Sequence, residues 1–270
     1  MPIQEVLENG RARFSCPECG RDFEADYQEP SDGFREVMLG VYERMICKAC
    51  QDRHAADEEA EKAAQRKQAL IATLDERMAR AGFQERFQRL EKPYVRSSAV
   101  WFWKNRFSSL LASGATGTGK TSGAAFVIRE MMKDSRPRVM YRTWQMLQAE
   151  FVKAKTSDGD NEFYFFERLD SFDYIVIDEL IGKRGEATRL SPSGQDLLFN
   201  IIDGAYSMAR RAKVWILGNF YDGAIDRLID DPLPTRRRLQ ESFKLAWFEH
   251  GKPVDESIRI FDESELIAND

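Results

Sequence analysis

Gly114-Ala115-Thr116-Gly117-Thr118-Gly119-Lys120-Thr121 carries the full G-x-x-x-x-G-K-[ST] spacing of a phosphate-cradling loop. Glycines at 114, 117 and 119 admit backbone conformations and close approaches that a Cβ would block. Successive N–H groups, running on to Ser122, can then wrap phosphate oxygens at the positive end of a following helix. Lys120 has the reach and charge for terminal phosphates, and the Thr121 hydroxyl suits Mg²⁺. Hydrolases, kinases and switches all use such a loop. A second element narrows the field: Tyr174-Ile-Val-Ile-Asp178-Glu179 is an apolar run ending in two acids. The first acid suits Mg²⁺ and the second an attacking water. Asn219 ends another apolar run, Val214-Trp-Ile-Leu-Gly, where a neutral polar group can hydrogen-bond a phosphate or orient water, although asparagine there is also a common turn former.

A different chemistry sits near the start. Cys16-Pro-Glu-Cys19 and Cys47-Lys-Ala-Cys50 are two C-x₂-C knuckles and hold all four cysteines of the chain. Four thiolates in a tetrahedron suit a closed, structural Zn²⁺ site. His54 is an alternative ligand or a polar residue at a helix start. The only other histidine is His250, and neither lies in a recognisable triad, which sets histidine-based nucleophilic catalysis aside.

These groups need a scaffold. Apolar runs at 109–113, 138–141, 173–178, 213–218 and 244–248 alternate with helical patterns, which predicts a five-stranded parallel sheet covered on both faces. The loop follows the first of these strands and precedes a helix expected over 122–132. Residues 1–53 read as a small zinc-stapled module and 93–270 as the α/β domain. Between them, 54–92 is rich in Ala, Glu, Lys, Arg and Gln with a narrow apolar stripe, and reads as a charged helical connector broken near Gly82. The 270 residues are 43% hydrophobic, enough for one core and a small appendage. Forty basic against 45 acidic residues, net charge −5, argues against a globally basic nucleic-acid coat. With no basic leader and no apolar run of about 18 residues, the chain is expected in the cytoplasm, away from membranes.

Taken together, the motifs from about residue 80 to 259 resemble those of AAA+ ATPases in the clade of the DnaC and DnaI helicase loaders and the IstB transposition helper. Gly114–Thr121 matches Walker A, Ile175–Glu179 Walker B and Gly218-Asn219-Phe220 the sensor-1 strand end. The resemblance implies ATP and Mg²⁺ as ligands and an arginine finger before the last strand. In Thr235-Arg236-Arg237-Arg238-Leu239 the first choice is Arg238, with Arg237 and Arg227 as substitutes. Residues 220–270 are too few for a full helical lid, so the lid is reduced or absent. Where the clade often has an arginine ahead of the sensor strand, this chain reads Ile202-Asp-Gly-Ala-Tyr206. An N-terminal zinc module is most like DnaI, in which that domain grips the helicase. The implied function is ATP-dependent delivery of a DnaB-type replicative helicase onto single-stranded DNA by a homo-oligomer. The alternatives are an IstB-like helper that recruits a transposase, and a zinc-dependent adaptor that uses ATP only as a switch. Lys183, Arg184, Arg189, Arg210, Arg211 and Lys213 are either solvated charges or part of a DNA groove built by assembly.

Overall fold

The computed structural model describes residues 3–7, 10–29, 35–156, 161–180, 189–207, 211–219 and 228–254, in two compact units, 1–68 and 69–270. Lys183, Arg184, Arg210, Phe220 and Arg227, named above, lie outside the described residues.

In the first unit, β1 (Ile3–Val6), β2 (Arg11–Ser15) and β3 (Asp22–Asp26) form an antiparallel sheet in that order. Helix α1 (Arg35–Glu43) follows, and α2 (Lys48–Ala72) begins within the second cysteine knuckle. The core is small. Ala12, Phe14 and Tyr42 are buried, and Phe23, Tyr27, Met38 and Met45 pack around them. A unit this thin has little apolar burial to offset its chain entropy, so the cysteines carry weight. Within α2 the one buried residue described is Cys50. Its alanine- and glutamate-rich body is held by helix propensity and exposed pairs such as Lys62–Glu58, each worth a few tenths of a kcal/mol.

The second unit has a real core. Its elements are α3 (Leu74–Ala81), α4 (Glu85–Gln88), α5 (Arg96–Lys104), β4 (Ser109–Gly114), α6 (Lys120–Asp134), β5 (Val139–Thr143), α7 (Trp144–Thr156), α8 (Asn161–Asp170), β6 (Tyr174–Asp178), α9 (Pro192–Tyr206), β7 (Lys213–Leu217), α10 (Pro232–Ser242), β8 (Phe243–Glu249) and β9 (Lys252–Val254). The sheet order is β5-β6-β7-β4-β8-β9. The five expected strands are all present and parallel. A sixth, β9, adds an antiparallel edge that the sequence reading missed, because Lys252-Pro-Val has no apolar run to betray it. Both faces are covered. Leu110, Ala112, Val176, Trp215 and Leu217 pack under α3 to α6, while their alternates Leu111, Ile175, Ile177, Val214 and Ile216 pack under α7 to α10. This is why the strands read as continuous apolar runs rather than alternating ones.

The connector divides differently from its sequence reading. The break between units falls at 68/69, and Leu74, Met78, Ala81, Phe83, Phe87 and Leu90 are all buried in the core of the sheet. Phe83 stacks on Tyr141 of β5 with ring centroids 4.6 Å apart. A stripe that looks narrow against its charged neighbours is wide enough to roof one end of a sheet. Phe87→Ala should therefore cost about 3–5 kcal/mol in urea unfolding, as a core cavity does, whereas Glu61→Ala on exposed α2 should change it by less than about 0.5 kcal/mol. Equal, small effects would show that residues 74–90 are not core.

Candidate functional site

Strands β4, β6 and β7 run parallel, so their C-terminal ends meet at one edge of the sheet. The phosphate-type loop leaves β4 there, and α6 begins at Lys120 rather than at the expected Ser122. Two of its glycines are obligatory. Gly114 has φ 131°, and a Cβ on it would lie 2.2 Å from the carbonyl oxygen of Phe248 on β8. Gly119 caps α6 in a left-handed conformation with φ 85°, and a Cβ there would lie 2.6 Å from that of Val95. Both positions exclude every other residue.

Lys120 is buried, its Nζ donating to the carbonyl oxygens of Gly114 at 2.7 Å and Ala115 at 2.9 Å and to Thr118 Oγ1 at 3.2 Å. Burial pulls its ammonium down to about 8, with the Asp178 charge acting in the opposite direction. Asp178 is also buried and is held from three elements. Thr121 Oγ1 and the Tyr141 hydroxyl each donate to Oδ2 at 2.8 Å, and the Glu179 N–H donates to Oδ1 at 2.8 Å. The neighbouring carboxylate and above all burial push the Tyr141 hydroxyl upward, so it stays a donor. Glu179 is exposed and sits at φ 56°, a left-handed conformation that costs a non-glycine residue about 1–2 kcal/mol.

Because β7 lies between β4 and β6, half-buried Asn219 emerges between the loop and the two acids. Gly218 N–H donates to Ala112 O at 3.0 Å and Leu180 N–H to Leu217 O at 3.3 Å, which fixes the three strand ends to one another. The sequence reading missed Tyr141, whose apolar run marked it only as core, and Val95, just before α5, and Ser98, within it. Ser98 Oγ donates to the Gly119 carbonyl at 3.0 Å. A cavity of about 420 Å³ opens from Ala115–Thr118 to Val95 and the β8–β9 turn at His250-Gly251. Ser97 Oγ donates to the Gly251 carbonyl and ties that turn to α5. This chemistry can receive a phosphorylated ligand, and Thr121 with Asp178 can offer oxygens to Mg²⁺.

Arg238 stands apart from this cluster. Its Nε donates to Asp203 of α9 at 2.7 Å, and its guanidinium lies over the Phe199 ring at 4.6 Å. Asp203 is the acid in Ile202-Asp-Gly-Ala-Tyr206. Arg237 is exposed and pairs with Glu241 one turn on, whereas Arg236 is buried. Among the basic residues considered for DNA, Arg189 pairs with Asp230 and Arg211 is exposed.

In the first unit the four cysteine sulfurs all lie within 4.8 Å of one another, with Cys16–Cys50 at 3.8 Å and Cys19–Cys47 at 3.6 Å. Thiolates about 2.3 Å from one Zn²⁺ at tetrahedral angles stand about 3.8 Å apart, so the cluster fits this ion. The Cys47 N–H donates to Cys16 Sγ at 3.4 Å and is the main reason that thiol is drawn down to about 6, while burial pushes Cys50 up. Arg53 Nη2 donates to Cys50 Sγ at 3.2 Å, a contact that favours the thiolate. His54 is in α2, not at its start, and its Nε2 meets the Glu18 carboxylate at 2.7 Å, so it serves as a carboxylate partner beside the four sulfurs.

No protein-family model and no curated protein matches this sequence. Similar solved structures include the DnaC helicase loader, 18% identical over 56% of this chain and 86% of that one, with a TM-score of 0.45. AMPPCP-bound DnaA from Aquifex aeolicus is 17% identical over 56% of this chain and 44% of its own, at 0.43. The replication initiator DnaA bound to AMPPCP and single-stranded DNA is 17% identical over 63% and 49%, at 0.40. The chain thus spans about half the length of the DnaA structures it matches. Among the described residues, no helix is long and apolar enough to cross a membrane.

Two outcomes follow from these geometries. With its pKa near 8, Lys120 is partly neutral at pH 8–9, and anionic phosphates favour the charged form, so nucleotide binding there should take up protons. Calorimetry in buffers of different ionisation heat reads this, and a buffer-independent heat at pH 8.5 would refute it. Protein purified without chelator should hold one Zn²⁺ per chain, and chelation should unfold 1–68 but leave 69–270 protected from hydrogen exchange. Metal content near zero would exclude the centre.

Proposed function

We propose that the chain is an AAA+ ATPase that delivers a DnaB-type replicative helicase onto single-stranded DNA, acting as a homo-oligomer. The observation that most supports an ATPase is the contact of Thr121 and Tyr141 with Asp178, with Glu179 adjacent and Asn219 between the loop and the acids. A phosphate loop alone serves any nucleotide chemistry. A second acid at the same edge is what water activation adds. The helicase-loading part of the reading draws on the motif resemblance and on the cysteine centre, whose small unit is suited to gripping a partner.

In this reading, loop N–H groups from Gly114 to Ser122 bind the phosphates, and Lys120 exchanges its three loop acceptors for β- and γ-phosphate oxygens. Thr121 and Asp178 would hold Mg²⁺, which would supply charge neutralisation. Glu179 accepts a proton from the attacking water, and Asn219 orients that water or the γ-phosphate. Arg238 of a neighbouring subunit completes the site by exchanging Asp203 for a γ-phosphate oxygen. Its planar fork neutralises the charge that develops there, which a lysine would do less well. Cys16, Cys19, Cys47 and Cys50 would hold a Zn²⁺ that ties their unit together, far in role from the phosphate chemistry.

Lys120→Ala should abolish nucleotide binding, whereas Glu179→Gln should bind ATP normally and hydrolyse it at least about 10²-fold more slowly. Arg238→Ala should bind ATP yet lose about 10³-fold in turnover, and mixing it with Lys120→Ala should restore activity at mixed interfaces. Normal turnover in Glu179→Gln would sink the ATPase assignment. A dead mixture of co-assembled variants moves the finger to Arg237 or Arg227. Co-purification with a hexameric helicase supports loading, and co-purification with a transposase instead overturns it.

A further inference from the structure

Helix α5 shows its inner side to the phosphate loop, and its outer side borders two adjoining grooves of about 630 and 600 Å³ that share Arg96, Val100 and Lys104. The floor is apolar. Pro93, Val100, Trp103 and Phe126 form most of it, with Val100 45% and Trp103 41% exposed. The rim is basic: Lys92, Arg96 and Lys104 are exposed, and among the described residues no carboxylate pairs with them. The one acid on this rim, Glu130, is paired with Lys133 at 2.5 Å. An apolar trough lined by cations on a chain of net charge −5 selects an occupant that is apolar and acidic.

Such a segment lies next to it in the chain. Pro253 of β9 forms one wall of the second groove, and β9 ends at Val254. Residues 255–270 read Asp-Glu-Ser-Ile-Arg-Ile-Phe-Asp-Glu-Ser-Glu-Leu-Ile-Ala-Asn-Asp, with six acids, one base, and apolar residues at 258, 260, 261, 266 and 267. We propose that residues 255–270 of this chain dock in cis along the outer side of α5, apolar side chains on Val100 and Trp103 and carboxylates against Lys92, Arg96 and Lys104. The reach is ample. The nine-residue helix is about 13 Å long, which about four extended residues span. Individually these exposed charge pairs are weak. Tethering supplies the rest, since a short linker holds the segment at about millimolar local concentration. The inference is independent of the ATPase reading, because none of these groove residues belongs to the phosphate site.

Zero-length carbodiimide coupling of the intact chain, followed by peptide mass spectrometry, tests this. Amide bonds from Lys92 or Lys104 to Asp262, Glu263 or Glu265 are expected in the monomer. Arg96→Glu combined with Val100→Asp should reduce their yield at least fivefold while leaving the Lys62–Glu58 cross-link within α2 unchanged. If Lys92 and Lys104 stay uncoupled, or couple only to other carboxylates, while that helical pair reacts, the proposal fails. Cross-links confined to covalent dimers assign the groove to a second copy and equally overturn it. So does full accessibility of both lysines that only added single-stranded DNA removes, which would make the groove a nucleic-acid platform.

Discussion

A buried carboxylate is the constraint around which the phosphate-type site is organised. Asp178 is only 6% exposed, and a carboxyl group so placed is tolerable only when hydrogen-bond donors meet both of its oxygens. Its donors come from three places: Thr121 on the helix after the loop, Tyr141 on the neighbouring strand, and the N–H of the residue that follows it. That requirement locks the start of α6, the end of β5 and the end of β6 into one geometry. Lys120 supplies the balancing charge nearby and is satisfied by its own loop. The site is thus assembled in advance of a ligand, with the cost of burying both charges borne by the sheet around them.

The sheet meets that cost through its strand order. Placing β7 between β4 and β6 buries β4, β6 and β7 on both sides and brings three chemically distinct strand ends to one edge. Gly114 permits β4 to run against the backbone of Phe248, so β8 supports the loop from the other flank. Helix α5 then holds the loop from above through Val95 and Ser98. An element that looks peripheral in sequence is therefore part of the cradle, and anything that covers its outer side sits one helix diameter from the loop.

The two units of the chain use opposite strategies for stability. Residues 69–270 bury two full layers of side chains against a sheet. Among its described residues the 1–68 unit has only a few buried rings and a close cluster of four sulfurs, whose coordination of a metal would take the place of hydrophobic burial. The same distinction separates the halves of the connector. Residues up to 68 are solvated helix, and those from 74 onward are core.

The candidate site residues were legible in one dimension because the motifs that hold them are local. The loop from Gly114 to Ser122, the Asp178-Glu179 strand end, Asn219 and the two cysteine knuckles each lie within a few residues, and backbone chemistry ties such spacings to a conformation. The five parallel strands were legible for a related reason, since burial on both faces leaves an unbroken apolar run. What required the tertiary structure was every relation across the sheet. No spacing couples Tyr141 to Asp178 across neighbouring strands, or Val95 to Gly119. Nor does any spacing tie Arg238 to Asp203 across two helices or reveal that Lys252–Val254 adds an edge strand. The amphipathic stripe at 74–90 could be read as exposed or buried, and only the presence of an uncovered sheet face decided it, because burial is a property of the neighbours a residue finds and not of the residue itself.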